Sequence, residues 1–343
     1  MKRLLNTLFV TTQKVYLKKE GETIVVKDGS KTMLQIPLIN LSGIVCFGNI
    51  RVSPFLLGYG TRMGISISFL SENGKFLARV QGPVAGNVLL RKAQYRISDY
   101  NEAFPGIVQN LVIGKISNCR TVLQRAVRDH AGKIDETRLH SAINKLERSI
   151  EKTRNEKDPD ILRGIEGEAS RKYFSVFNEL IVAQKSDFIF KDRSRRPPLD
   201  RVNALLSFVY TLLYHDMRSA LECTGLDPGV GFLHRDRPGR LSLALDLMEE
   251  FRPFFADRLV LSLINLKQVE GEQFKVLDNG AVFMNDAARK TVLMAYQKRK
   301  QEAVTHPFVN DTMHIGILFH TQAMLLARHI RGDLDAYPPF LWR

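Results

Sequence analysis

Two segments of the chain carry its most chemically capable side chains. Gly164-Ile165-Glu166-Gly167-Glu168-Ala169 supplies two glutamates. His234-Arg235-Asp236-Arg237-Pro238-Gly239-Arg240 supplies an imidazole among guanidiniums and runs on to Asp246-Leu247-Met248-Glu249-Glu250. Carboxylates with one imidazole can hold a divalent cation through oxygen and nitrogen ligands. In a protein drawn to polyanions, such a cation suits attack on phosphodiesters.

Helical geometry separates the glutamates of the first segment. Glu166, Ala169, Tyr173, Phe177 and Leu180 follow steps of three and four and share the stripe that faces a core, whereas Glu168 falls nearly opposite, beside Arg171 and Lys172. A carboxylate on an apolar face is costly unless a cation or hydrogen-bond donors meet it. Glu166 is therefore a metal ligand, an acid/base or half of a buried ion pair. In the second segment Ser242, Asp246, Glu249 and Glu250 line one narrow side of a helix otherwise covered by Leu, Ala, Met and Phe. Asp246 and Glu249, at i and i+3, can place two carboxylates on one cation, or one ligand and its support. The competing reading is a solvent-facing acidic strip. A histidine such as His234 in an arginine-rich loop would by itself be a surface residue, and gains meaning only from these neighbours.

These residues need elements to position them. At 343 residues and 44% hydrophobic content the chain can build packed cores. Its 50 Lys+Arg against 36 Asp+Glu leave +14, which raises the prior for an anionic partner without specifying one. No apolar run approaches the ~18 residues of a membrane span, so the sequence reads as a soluble, cytoplasmic protein. Cys46, Cys119 and Cys223 lie far apart with no CxxC spacing and read as small buried hydrophobes.

Residues 1 to about 80 show short β-type runs at Leu4 to Val10, Ile24 to Val26, Ile44 to Phe47 and Ile65 to Phe69. Turn residues at Lys19-Glu20-Gly21, Lys27-Asp28-Gly29-Ser30 and Glu72-Asn73-Gly74 predict a mostly antiparallel β domain. Ser53-Pro54 opens a short helix that ends between Gly60 and Gly64. The breaker-rich stretch Gln81 to Gly86 marks a boundary between domains 1–85 and 86–343. Beyond it the period is helical over roughly 87–130, 136–153, 158–185, 200–224, 241–264, 286–303 and 309–331, broken by a single hairpin around Asp278-Asn279-Gly280. Lys191 to Pro198 reads as a charged linker. The fold class is α+β, a β domain followed by a mainly α-helical one.

The ordered blocks Gly164-Ile165-Glu166-Gly167 with Ala169 and Tyr173-Phe174, then Leu233-His234, then Ser242 to Pro253, resemble those of the CRISPR-associated integrase family Cas-one. The resemblance spans the chain, and Asp200 to Ser207, Ala295-Tyr296-Gln297 and the tail Arg331-Gly332-Asp333-Leu334 to Trp342 are similar to the subtype I-C branch. It implies a β-strand N-terminal domain that dimerises and an α-helical catalytic domain. It implies Glu166, His234 and Glu249 as catalytic ligands of Mg²⁺ or Mn²⁺, with Asp246 as an accessory carboxylate. Many members have aspartate where Glu249 stands. It further implies a homodimer, two copies of which flank a dimer of the small partner Cas-two in a heterohexamer, acting on double-stranded and branched DNA in antiviral defence. The reaction would insert short DNA fragments into a repeat array by 3′-hydroxyl transesterification.

Around the two segments, Arg163, Arg171, Lys172, Arg235, Arg237 and Arg240 are the candidate DNA contacts, since phosphate must approach the metal. Lys298-Arg299-Lys300 and Arg193-Ser194-Arg195-Arg196 lie farther along the chain. Tyr173 is an accessory candidate that a packing role would equally explain, and Asn203 either satisfies a backbone group or lies by the site. Two other readings compete with the integrase: a metal-dependent nuclease of DNA repair that cuts branched substrates, and a non-catalytic nucleic-acid-binding subunit.

Overall fold

The computed structural model describes residues 6–72, 76–80, 88–99 and 104–342. The chain divides into two compact units, Met1–Gly86 and Asn87–Arg343.

The first unit contains β1 (Asn6–Val10), β2 (Tyr16–Glu20), β3 (Thr23–Asp28), β4 (Lys31–Pro37), β5 (Leu41–Phe47), β6 (Arg51–Val52), helix α1 (Pro54–Arg62), β7 (Ser66–Leu70) and β8 (Phe76–Val80). They form two four-stranded sheets, ordered β1-β5-β7-β8 and β4-β3-β2-β6. Gly21 and Gly29 take φ +56, the left-handed geometry that turns β2 into β3 and β3 into β4. The antiparallel expectation holds for β2-β3-β4 and β7-β8, but β1/β5, β5/β7 and β2/β6 are parallel, so the sheets are mixed. The unbroken burial of Ile44 to Phe47 in β5 fits a strand paired in parallel on both sides. Leu17, Ile24, Ile44, Leu56 and Ile67 close the core. Ser53 caps α1 by accepting from the Leu56 amide at 3.2 Å. The Glu72 to Gly74 turn and the 81–86 boundary stretch lie wholly or partly outside the described residues.

The second unit is mainly helical: α2 (Val88–Asp99), α3 (Phe104–Asp129), α4 (Glu136–Asn155), α5 (Pro159–Ser175), α6 (Arg201–Thr224), α7 (Ser242–Met248), α8 (Arg258–Asn265), α9 (Asp286–Lys300) and α10 (Ile315–Arg331). The predicted helix over 241–264 is interrupted. Arg252–Asp257 winds as a π-helical turn between α7 and α8, where Pro253 cannot donate its backbone hydrogen bond. The 158–185 segment likewise stops at Ser175 and tightens into a 3₁₀ turn, Phe177–Leu180. Among the described residues two hairpins break the helical run rather than one. Strands β9 (Phe274–Val276) and β10 (Val282–Met284) form the expected pair, while β11 (Ala303–Thr305) and β12 (Thr312–His314) delay the last helix to Ile315. Cys46 and Cys119 are buried, but Cys223 is exposed, contrary to expectation. No helix among the described residues is long and apolar enough to cross a membrane.

Candidate metal centre

Helix α5 starts on Asp158, whose carboxylate accepts from the Asp160 and Ile161 amides at 2.7 and 3.2 Å, with Pro159 at the first helical position. That start sets the phase that points Glu166 inward. Its Oε1 accepts from Ser170 Oγ at 2.8 Å and from the ammonium of Lys115 on α3.

Asp246, on α7, is fully buried and spends both oxygens on the loop before the helix. Oδ2 accepts from the Phe232 and Leu233 amides at 2.6 and 2.9 Å, and Oδ1 from the His234 amide at 2.8 Å and its ring Nδ1 at 2.6 Å. An ionised carboxylate only accepts, so Nδ1 carries the proton and Nε2 presents its lone pair. Gly231 permits this closeness: a Cβ there would fall 2.6 Å from Ser242 Cβ and 2.9 Å from Asp246 Oδ2.

Glu249 completes the group at 1% exposure. Its Oε1 lies 2.8 Å from Arg252 Nη1 and 3.8 Å from His234 Nε2. Its Oε2 lies 2.6 Å from Lys115 Nζ, yet without the angle of a hydrogen bond. Burial opposes the Glu249 charge, but Arg252 and Lys115 outweigh it and lower its pKa to about 2. Burial likewise opposes the Lys115 charge, and Glu249 with Glu166 overcome it, holding its pKa above the ordinary lysine value.

The donor chemistry fits a small divalent cation. Two inward carboxylates, one with a buried oxygen lacking a hydrogen-bond donor, face an imidazole whose distal nitrogen is fixed as a lone pair. Among the described residues, no three His, Cys, Asp or Glu side chains are gathered at metal-ligating distance. Between Glu166 and Glu249 stands the Lys115 ammonium.

The structure thus brings Glu166, His234, Asp246 and Glu249 together and separates other candidates from them. Asp246 orients His234, and both its oxygens are taken up by the 232–234 loop. Glu250, expected on the same strip, faces the other way and anchors the C-terminal tail: Tyr337 Oη donates to it at 2.5 Å, the Phe340 amide at 2.7 Å and Gln322 Nε2 at 2.9 Å. Tyr173 is buried and packs edge-on against Phe174 and Phe177. It also lines a small cavity with Lys115, Ser170, Arg193, Tyr210 and Arg252. Asn203 is spent on the 192–200 loop, donating to Asp192 O at 2.8 Å and accepting from the Ser194 amide at 3.1 Å and Arg193 Nη1 at 2.6 Å.

Of the basic candidates, Arg163 and Arg235 line a cavity of about 620 Å³ beside His234, and both pair with Asp160. Arg171 and Arg237 are exposed, and Lys172 and Arg240 are half-buried. Among the described residues none of these four is ion-paired to Glu166, His234 or Glu249. The residues that sequence reasoning missed are Lys115 and Arg252. Lys115 carried the same signal as Glu166, a charge on a helix face shared with Leu111, Val112 and Cys119, all buried.

A β unit followed by a mainly helical unit is an architecture that solved structures share. A Cas1 protein from Thermotoga maritima superimposes with a TM-score of 0.81 over 96% of this chain and 97% of its own, at 24% identity. A casposase bound to integration product gives 0.82 over 99% and 95%, at 22% identity. The chain belongs to the family described as CRISPR associated protein Cas1, whose model matches residues 8–298. Curated relatives include the CRISPR-associated endonucleases Cas1 1 of Chlorobaculum tepidum, 56% identical over the whole of both chains, and Cas1 2 of Rhodospirillum rubrum, 52% identical over the whole of both.

Proposed function

We propose that the protein is a metal-dependent DNA integrase and endonuclease of CRISPR adaptation, which joins short DNA fragments to a repeat array. The observation that carries this reading is that Glu166 and Glu249 meet at the Lys115 ammonium, with His234 Nε2 3.8 Å from Glu249 Oε1 and Asp246 fixing the imidazole. Their chemistry calls for Mg²⁺ or Mn²⁺. When bound, such an ion neutralises charge developing on the scissile phosphate and favours loss of the proton from the attacking hydroxyl.

The chain's own residues do the rest. Glu166 and Glu249 supply oxygen ligands from α5 and the end of α7, and Asp246 keeps the proton on Nδ1 so that Nε2 is available. Arg252 holds Glu249 Oε1 at 2.8 Å and so fixes its rotamer. In the joining step a fragment's 3′-hydroxyl oxygen bonds to phosphorus, the bond from phosphorus to the target strand's 3′ oxygen breaks, and the proton released by the nucleophile ends on that oxygen. Arg163 and Arg235 beside His234 are placed to meet phosphates of the entering duplex.

Membership of the family supports a reading of the partners as well. A solved Cas6-RT-Cas1–Cas2 complex contains a chain of this fold, with a TM-score of 0.81. We assign this chain a homodimer through its β unit and a heterohexamer with a small Cas2 dimer, acting in the cytoplasm. The tail block ending at Trp342 supports placement in the subtype I-C branch.

The test incubates the purified protein, with and without its small partner, with a labelled 3′-hydroxyl duplex and a supercoiled plasmid bearing a repeat array. Metal-dependent joining of label to plasmid, lost with chelator, Glu166→Ala and His234→Ala, is the expected result. Nicking of branched DNA without joining would replace the integrase with a repair nuclease.

A further inference from the structure

Lys115 sits where a cation between Glu166 and Glu249 would be held. It is 7% exposed, reaches in from α3, and its ammonium contacts Glu166 Oε1 and lies 2.6 Å from Glu249 Oε2. Two like charges brought together in a buried site repel unless something positive stands between them. With Arg252 on Glu249 Oε1, the two glutamates meet two cations, so the pair is neutralised by the protein itself. A divalent ion added to that arrangement would enter a group already balanced and would meet a full positive charge at contact distance.

We propose that Lys115 is a built-in counter-cation, which keeps Glu166 and Glu249 together in the metal-free protein and must withdraw before a divalent ion can bind them. The inference rests on the reading of these residues as metal ligands. It makes Lys115 a positioning residue that lowers metal affinity while preserving the site. Lys115 also borders a small cavity whose walls carry the Asp257 carboxylate beside Arg193, Arg195 and Arg252, so a carboxylate other than Glu166 and Glu249 lies on its far side. Its flexible four-carbon stem allows the swing that a rigid guanidinium would resist.

The test measures Mn²⁺ binding without DNA, by loss of the free-ion electron paramagnetic resonance signal, and the melting temperature with and without Mn²⁺. Lys115→Met removes the charge. Lys115→Gln also removes it but keeps a hydrogen-bond donor between the carboxylates, so it preserves a folded protein should Lys115→Met unfold. Both variants should bind Mn²⁺ at least about tenfold more tightly than wild type, a modest figure for deleting a unit charge in contact with the ligands. They should also melt lower without metal and gain more from Mn²⁺. Equal or weaker Mn²⁺ binding by a folded Lys115→Gln protein overturns the inference. Glu166→Ala separates the two levels: if wild type binds Mn²⁺, Glu166→Ala loses it and Lys115→Gln matches wild type, only the role of Lys115 fails. If wild type and both Lys115 variants fail to bind Mn²⁺, the metal reading falls and this inference with it.

Discussion

Glu249 and Glu250 are consecutive, equally buried and electrostatically opposite. Glu249 meets the cations of Arg252 and Lys115, and although burial opposes its charge its pKa falls to about 2. Glu250 meets only neutral donors, Tyr337, Gln322 and the Phe340 amide, and burial raises its pKa to about 8. Depth alone therefore does not decide whether a buried carboxylate is charged; the neighbours do. One glutamate faces a group suited to cation chemistry, while the other closes a structural latch on the tail.

The largest effects should come from breaking the charged side. Glu249→Ala should reduce DNA joining by more than the roughly 100-fold ceiling expected of a supporting residue, with duplex affinity changed only a few-fold because basic surface residues set it. Strand-transfer and filter-binding assays read the two quantities, and a matched fall in both would argue against a ligand role. Asp246→Asn tests the support beneath His234. It should cost about 10–100-fold in metal affinity or activity, read by Mn²⁺ titration on a protein whose circular dichroism is native. An unchanged titration would show that His234 needs no orienting.

On the latch side, joining activity should stay within a few-fold of wild type in Glu250→Gln, while the pH dependence of stability changes. The folded chain keeps a proton on Glu250 up to about pH 8, and the unfolded chain only to about the ordinary 4.5. This contribution is full below pH 4.5 and is lost as pH rises toward 8. Melting curves across that window should slope less for Glu250→Gln than for wild type; parallel slopes would falsify the assignment. Tyr337→Phe removes one donor and should cost about 1–3 kcal/mol in urea unfolding while leaving DNA joining unchanged.

Much of this was legible before any tertiary contact was known. Glu166 stood out because three- and four-residue steps placed a carboxylate on an apolar stripe, and Ser53-Pro54 announced a capped helix that the Leu56 amide completes. The split of 241–264 is less visible, because the apolar period runs on through Pro253, where the structure has a π turn. The β11–β12 hairpin escaped because three-residue strands are too short to establish a period of two. Lys115 was overlooked although the same stripe argument applied to it. Its partners lie 51 and 134 residues away along the chain, beyond the reach of local pattern.

The sequence by itself determined the chemically capable side chains, the apolar stripe that carries Glu166 and the β-then-α order, because side-chain chemistry and backbone period are local properties. Only the tertiary structure decided which charges meet. Neighbouring residues on a helix point about 100° apart, so Glu249 and Glu250 look toward different surroundings. What waits there is fixed by packing: α3 brings Lys115 to one side, and the C-terminal tail brings Tyr337 and Phe340 to the other.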